Sequence, residues 1–264
     1  MTIASIRTMF RAACAISVAA FAAAAQAKED WSRIYLANEP VLAPDGKTFY
    51  FTWNDLVWRA PVAGGTAHIV SPTSGRASSP CLSPDGRRIA FQNDCEGSSF
   101  VYECPTAGGS VRQVSFHTEL TRPWCYTPDG KSIVCTVRRD HSGDKDSLRI
   151  AVLPVGGRGA EKVLFDEYGN TPSLSPDGRS LLFVRGTGSR APFRKRRHSK
   201  TAQNGEIWLF DMASKKFRCL VEKPFDVRDP VWLPGGKSFL YLSTEQGGIR
   251  NLVRRSFADG RKRC

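Results

Sequence analysis

Pro80-Cys81-Leu82-Ser83-Pro84-Asp85-Gly86-Arg87-Arg88-Ile89-Ala90-Phe91 reads as strand, turn, strand. Proline presets φ near −65°, aspartate bonds its own backbone, and glycine enters the left-handed region at low cost, so Pro-Asp-Gly suits a tight hairpin. A cation follows, and then the alternating apolar positions Ile89 and Phe91, the period of a half-buried strand. The stretch is copied along the chain. The turn recurs at Pro44-Asp45-Gly46, Pro128-Asp129-Gly130 and Pro176-Asp177-Gly178, with a degenerate fifth at Pro234-Gly235-Gly236, and Lys47, Arg87, Lys131, Arg179 and Lys237 follow the five turns.

Successive copies are 40, 44, 48 and 58 residues apart, a length that fits four short strands in a propeller blade. Pro40, Pro80, Pro123, Pro172 and Pro230 precede the turns and are expected to open the leading strand of each unit, where proline is tolerated. Later parts repeat as well. In the first unit Phe49 and Phe51 are followed by Leu56-Val57-Trp58, Gly64-Gly65 and Ile69-Val70; in the second, Ile89 and Phe91 by Phe100-Val101-Tyr102, Gly108-Gly109, Val111 and Val114. The third gives Ile133, Val137, Leu148-Arg149-Ile150, Gly156-Gly157 and Val163-Leu164. In the fourth, Leu181, Phe183, Ile207-Trp208-Leu209 and Cys219-Leu220-Val221 keep the order, with Ala213-Ser214-Lys215 in place of the glycine pair. A sandwich has no reason to repeat turn and glycine pair at fixed offsets. The expected fold is all-β: a β-propeller of four-stranded antiparallel blades, about five repeats near residues 34–75, 76–119, 120–168, 169–226 and 227–264, the last incomplete.

The amino-terminal stretch is expected to lie outside that fold. Arg7 and Arg11 precede an apolar run from Ala12 to Ala25, and Ala25-Gln26-Ala27 is a small-residue cleavage pattern. This pattern predicts a secretory signal peptide over residues 1–27 and a mature domain over 28–264, because the run is short for a span of roughly 20 residues. The expected location is periplasmic or secreted. The mature part would hold 36 cations against 25 acids, a net charge of +11. Such a balance points to an acidic partner, an anionic envelope surface or solubility, and export argues against nucleic acid.

The Ser-Pro-Asp-Gly-cation turn, the apolar-x-Phe strand, the apolar-Trp/Tyr strand and the Gly-Gly turn together resemble the TolB-like repeat of periplasmic propellers, from about Ile34 to Gly260. TolB itself places a separate α/β domain before its propeller, whereas about a dozen residues separate signal and first repeat here. That order is similar to the amino-terminal propeller of the tricorn-type serine peptidases, relatives of the C-terminal-processing peptidases. Asp55-Leu56-Val57-Trp58-Arg59-Ala60-Pro61-Val62-Ala63-Gly64-Gly65-Thr66-Ala67 and Gly205-Glu206-Ile207-Trp208-Leu209-Phe210-Asp211 carry this second likeness. The resemblance implies a non-catalytic propeller that binds or gates peptide or protein substrates for a catalytic domain found further along such enzymes. A stand-alone envelope protein-protein interaction module is the alternative. The fifth unit runs through Val231-Trp232, Phe239-Leu240-Tyr241 and Asn251-Leu252-Val253 and reaches Cys264 where a fourth strand should begin. A fragment of a longer reading frame, a small ring and closure in trans all stay open.

Catalytic and cofactor motifs are missing from the sequence. It has no Gly-x-Ser-x-Gly, His-Glu-x-x-His, phosphate-cradling glycine loop or Cys-x-x-Cys. His68, His117, His141 and His198 occupy unrelated places in their repeats and read as surface residues. Asp140, Asp144 and Asp146 form an acidic tip without the glycine and bidentate glutamate of a calcium loop. No catalytic residue, cofactor or metal site is expected. The seven cysteines after the signal, Cys81, Cys95, Cys104, Cys125, Cys135, Cys219 and Cys264, leave at least one unpaired within a monomer. Cys81 and Cys125 share one position in adjacent repeats, but blade spacing is expected to exceed the roughly 7 Å Cα limit of a disulfide, so small buried side chains are the expectation. Arg185, Arg190, Arg194, Lys195, Arg196, Arg197 and Lys200 form a cationic stretch without an acid. It is expected to project as a loop between the second and third strands of the fourth unit and to bind an acidic partner, or else to be a solvated insertion.

Overall fold

Each hairpin turn is built from the residues of its motif. Asp85 Oδ1 accepts from the Arg87 N–H at 3.0 Å and from the Ser83 hydroxyl at 2.6 Å, and Gly86 N–H donates to the Ser83 carbonyl at 2.8 Å. Thr127 with Asp129, and Ser175 with Asp177, repeat this network. The first turn has Ala43 where the hydroxyl would be, and Asp45 holds only the Lys47 N–H. Gly46, Gly86, Gly130, Gly178 and Gly236 take φ between 66° and 73°, the left-handed value that glycine adopts without penalty.

The computed structural model describes residues 37–264 apart from 140–147, 157–158, 186–204, 223–225, 246–248, 258–261 and 264. These form twenty strands in five antiparallel sheets, each paired in chain order, with no helix among the described residues. The first blade is β1 Asn38–Leu42, β2 Thr48–Trp53, β3 Leu56–Pro61 and β4 His68–Ile69; the second is β5 Ser78–Leu82, β6 Arg88–Asn93, β7 Phe100–Pro105 and β8 Arg112–Gln113. The third is β9 Thr121–Tyr126, β10 Ser132–Val137, β11 Arg149–Pro154 and β12 Lys162–Tyr168. The fourth is β13 Asn170–Leu174, β14 Ser180–Arg185, β15 Glu206–Asp211 and β16 Phe217–Val221. The fifth has three full strands, β17 Val227–Trp232, β18 Ser238–Ser243 and β19 Asn251–Ser256, and a two-residue β20 Lys262–Arg263 paired with Arg254 and Arg255. Two residues is also the length of β4 and β8, so the fifth sheet's outer strand is short rather than missing.

The hydrophobic core is divided into four clusters, and each straddles two consecutive blades. Tyr50, Val57 and Val70 of the first blade meet Ile89, Phe91, Tyr102 and Cys104 of the second, and Cys81, Ala90 and Val101 of the second meet Tyr126, Ile133, Cys135 and Leu153 of the third. Val134 and Ile150 then meet Leu181, Phe183 and Phe210, and Leu182, Val184 and Ile207 meet Phe239, Tyr241 and Val253. Strand alternation sends one residue forward and the next backward, so both faces of an internal blade are apolar. The repeat therefore buries its faces by stacking blade on blade, as a propeller does and as a sandwich of two sheets does not.

The prolines expected to open the leading strands sit inside them. Pro40, Pro80, Pro123 and Pro172 are third and Pro230 fourth in their strands; Pro40, Pro80, Pro172 and Pro230 lie in a break of register with the second strand, whereas Pro123 pairs with Cys135 and the break falls at Trp124. A bulge leaves one residue unpaired, which suits a residue lacking an N–H. The residue before the proline takes φ of 51° at Glu39, 53° at Ser79, 46° at Thr171 and 48° at Asp229.

Candidate functional site

The leading strands β1, β5, β9, β13 and β17 adjoin one another in chain order along the axis side of the blades. The five residues before the prolines, Glu39, Ser79, Arg122, Thr171 and Asp229, stand near the start of these strands at one end of the blades, four of them in bulges and Arg122 paired with Thr136; the Pro-Asp-Gly turns occupy the other end. Non-glycine residues at positive φ carry strain of about 1–3 kcal/mol each, which persists only where surrounding structure imposes it.

At this end a side chain of the first blade reaches the third. Glu39 Oε1 accepts from Arg122 Nη2 at 2.9 Å, and Glu39 Oε2 accepts from the Ser79 N–H of the second blade. The Arg122 guanidinium also lies 4.9 Å from the Trp124 ring centroid, while Trp124 Nε1 donates to Thr136 Oγ1 at 3.0 Å. The Ser79 and Thr171 hydroxyls are buried without a hydrogen-bond partner. One glutamate thus ties three blades at the axial mouth, and two unused hydroxyls lie on the same ring. Around them, Arg139 pairs with Glu161 and donates to Thr121, and Asp226 accepts from Arg228 and Arg250. Pairing lets these charges crowd one end without net repulsion.

The cationic stretch is rooted at the same end. Arg185, the last residue of β14, pairs with Glu167 at 2.9 Å and lies 4.8 Å from the Trp208 ring centroid. Arg190, Arg194, Lys195, Arg196, Arg197 and Lys200 lie outside the described residues, as do Asp140, Asp144, Asp146, His141, His198 and Cys264. His68 and His117 are exposed. Among the described residues no group of three His, Cys, Asp or Glu side chains could hold a metal ion, and no helix is long and apolar enough to cross a membrane.

A second polar centre lies between the second and third blades. Glu103, 3 % exposed, meets Arg112 at 2.7 Å and Arg88 at 3.3 Å, and its Oε1 accepts from Tyr126 OH at 2.7 Å. Arg112 also donates to the Val155 carbonyl at 2.6 Å and Arg88 to the Gly130 carbonyl at 3.2 Å. Burial first, then the charges of Cys81 and Glu103, pushes the Tyr126 phenol far above its usual range. It stays a neutral donor, and every polar group here is spent on joining two blades. The thiols of Cys81, Cys95, Cys104, Cys125, Cys135 and Cys219 are free. Burial raises Cys104 to about 12 and Cys125 to about 11, so neither is a nucleophile near neutral pH.

Sequence reading missed Glu39 and Arg122. The signal was present: all five residues before the leading-strand prolines are polar, at the same place in every repeat.

Residues 36–262 match the family model described as the tricorn protease N-terminal beta propeller domain. The chain belongs to that family. No curated protein sequence matches it. Among solved structures it is similar to the putative TolB from Agrobacterium tumefaciens, with a TM-score of 0.71 and 20 % identity over 86 % of this chain and 79 % of that one. It is also similar to a chain in the nidogen/laminin complex, with TM-score 0.63 and 14 % identity over 87 % of this chain and 79 % of that one. The tricorn protease gives a TM-score of 0.57 and 15 % identity over 82 % of this chain, which spans 20 % of the protease. At these identities the likeness concerns the fold, and within it the chain is a tricorn-type propeller.

Proposed function

We propose that this chain is a non-catalytic propeller that binds or gates peptide or protein segments at its axial mouth, in the periplasm or outside the cell. In this reading it is the amino-terminal propeller of a tricorn-type serine peptidase whose catalytic residues lie in another domain. The observation that carries the proposal is the ion pair from Glu39 to Arg122, which ties the first blade to the third at the axis. An ion pair that opens can exchange its partners for a peptide's charged ends or its main-chain amides, and Ser79 and Thr171 offer free hydroxyls beside it. Family membership supports the peptidase context, and the net charge of +13 favours acidic partners or an anionic envelope surface for the cationic stretch from Arg185 to Lys200. The stand-alone envelope module is kept as a second reading because a putative TolB is matched over most of both chains.

Fluorescein-labelled peptides from a tryptic digest of β-casein are the probe. The purified chain is expected to retain a subset of them without cleaving any, and the Glu39→Ala/Arg122→Ala double variant to bind that subset about tenfold more weakly or more tightly. No retention by the parent chain, identical binding by the folded double variant, or new cleavage products would each overturn the reading. If whole folded proteins are retained and peptides are not, the envelope module replaces the peptidase propeller.

A further inference from the structure

The outer strand of a blade carries backbone N–H and C=O groups with no strand beyond them, and such an edge pairs with other chains unless it is blunted. Among the described residues β4, β8 and β20 span two residues each, which blunts them by length. β12 has seven residues, but Val163 stands opposite Ala151 and Tyr168 opposite Arg149, so Leu164 to Glu167 bulge out against Ile150. The first half of β16 has neither device. Phe217, Arg218 and Cys219 pair in regular succession with Phe210, Leu209 and Trp208, and the register breaks only beyond them, where Arg255 of the fifth blade donates to the Leu220 carbonyl. β16 is the last strand of its sheet. The Asp211 N–H donates to the Lys216 carbonyl at 2.9 Å, so antiparallel alternation turns the main-chain groups of Arg218 inward and those of Phe217 and Cys219 outward.

The side chains along this edge are sorted by face. Phe217 points toward the third blade, with its ring centroid 5.1 Å from that of Phe165 and 4.9 Å from that of Phe210, and it remains 38 % exposed. Alternation puts Lys216 and Arg218 on the opposite face, and both are exposed. Lys215, also exposed, lies with its ammonium 5.6 Å from the Phe210 ring centroid. No acid stands between Lys215 and Cys219. Asp211, on the facing strand, is taken by the N–H groups of Ala213 and Ser214, and Glu222 comes after the break in register.

We propose that the first half of β16 is a strand-addition site for an extended acidic peptide segment. The segment carries carboxylates at the alternate positions facing Lys216 and Arg218, and an aromatic or large aliphatic residue between them on the side of Phe217 and Phe165. In this mode of recognition main-chain bonds supply affinity and the alternate side chains supply the choice of partner. Charge decides the occupant. A second copy of this chain would bring its own Lys216 and Arg218 to the same edge, and like charges opposite one another on a sheet are unfavourable. A carboxylate-bearing strand reverses the sign at those positions. The site is on the outer strand of the fourth blade, apart from Glu39 and Arg122 on leading strands, and it does not rest on the axial-mouth reading.

The probe is a fluorescein-labelled peptide, Gly-Glu-Phe-Glu-Val-Glu-Gly, titrated into the full chain by fluorescence anisotropy at low salt, with hydrogen exchange followed at residues 217–221. Binding is expected, with exchange at positions 217 and 219 slowed about tenfold at saturation. Lys216→Glu/Arg218→Glu should weaken binding by about tenfold or more, and a peptide with lysine for each glutamate should not bind. N-methylated peptides separate strand pairing from charge attraction: methylating one alternate set of residues should weaken binding by about tenfold or more, and methylating the other set should leave it unchanged. Equal effects of the two methylated sets overturn the proposal, as does no binding at about 1 mM peptide or binding indifferent to the charge reversal. Concentration-dependent protection of residues 217–221 in the chain alone also overturns it and assigns the edge to a second copy. If the charge-reversed variant does not fold, the methylated peptides on the parent chain decide. Glu39→Ala/Arg122→Ala should bind this peptide as the parent does; loss there would move the site to the axial mouth and overturn the edge, whereas failure at the edge alone leaves the axial-mouth reading intact.

Discussion

The joint between the second and third blades and the forward face of the fifth blade use the same positions of the same repeat, yet one is a core and the other a surface. Val101 and Leu252 occupy equivalent places on β7 and β19, and only Val101 is buried. What differs is whether another blade stands in front. Burial in this fold is therefore a property of neighbours rather than of residues, and stability should be distributed by joint.

Substitutions at equivalent places can break or sharpen that comparison. The largest expected effect is at the joint of the third and fourth blades, where Phe183 is fully buried against Phe165. Phe183→Ala should cost about 3–5 kcal/mol in urea unfolding, whereas Leu252→Ala should stay within about 0.5 kcal/mol. Equal losses would show that the fifth face is covered. Next is the polar centre. Glu103→Ala should cost about 2–3 kcal/mol, less than breaking a wholly buried pair because Arg88 and Arg112 keep part of their surface in water, and Arg254→Ala about 0.5 kcal/mol or less.

A smaller contrast concerns the turns. Gly46→Ala should cost about 1 kcal/mol for its left-handed backbone, and Gly86→Ala more, since its Cβ would lie 3.3 Å from Pro44. The smallest is pH dependence. Asp85, Asp129 and Asp177 are held below their ordinary 3.8, first by the hydroxyl of Ser83, Thr127 or Ser175 and then by a main-chain N–H. A carboxylate depressed in the folded state contributes stability that is complete above 3.8 and lost as pH falls through the lowered value. Melting temperature should thus decline below about pH 3.8, and less steeply in Ser83→Ala; a steeper decline in that variant would contradict the network.

The blades were legible in the sequence because the turn is local: hydroxyl, proline, aspartate and glycine make their bonds within five residues, and copies at blade spacing carry the fold. The place of the prolines was not, since proline at a strand start and proline at a bulge look alike in sequence and only pairing with the second strand separates them. The axial mouth was harder still. Glu39 and Arg122 are 83 positions apart and meet because two intervening joints set the curvature. Nothing near either residue announces the other, and the cationic stretch drew attention through its charge density. Arg185 was the one member of that stretch placed among the described residues, where it is held by Glu167 and Trp208.

Radial stacking is tested most directly by crosslinking across the axis. Glu39→Cys and Arg122→Cys, placed together in a chain freed of its other cysteines, are treated with a short bis-maleimide and the product is mapped by mass spectrometry. Blades that surround an axis predict an efficient crosslink between positions 39 and 122 within the monomer. Failure to form it, while both cysteines still react with a single maleimide, would contradict the stacked arrangement.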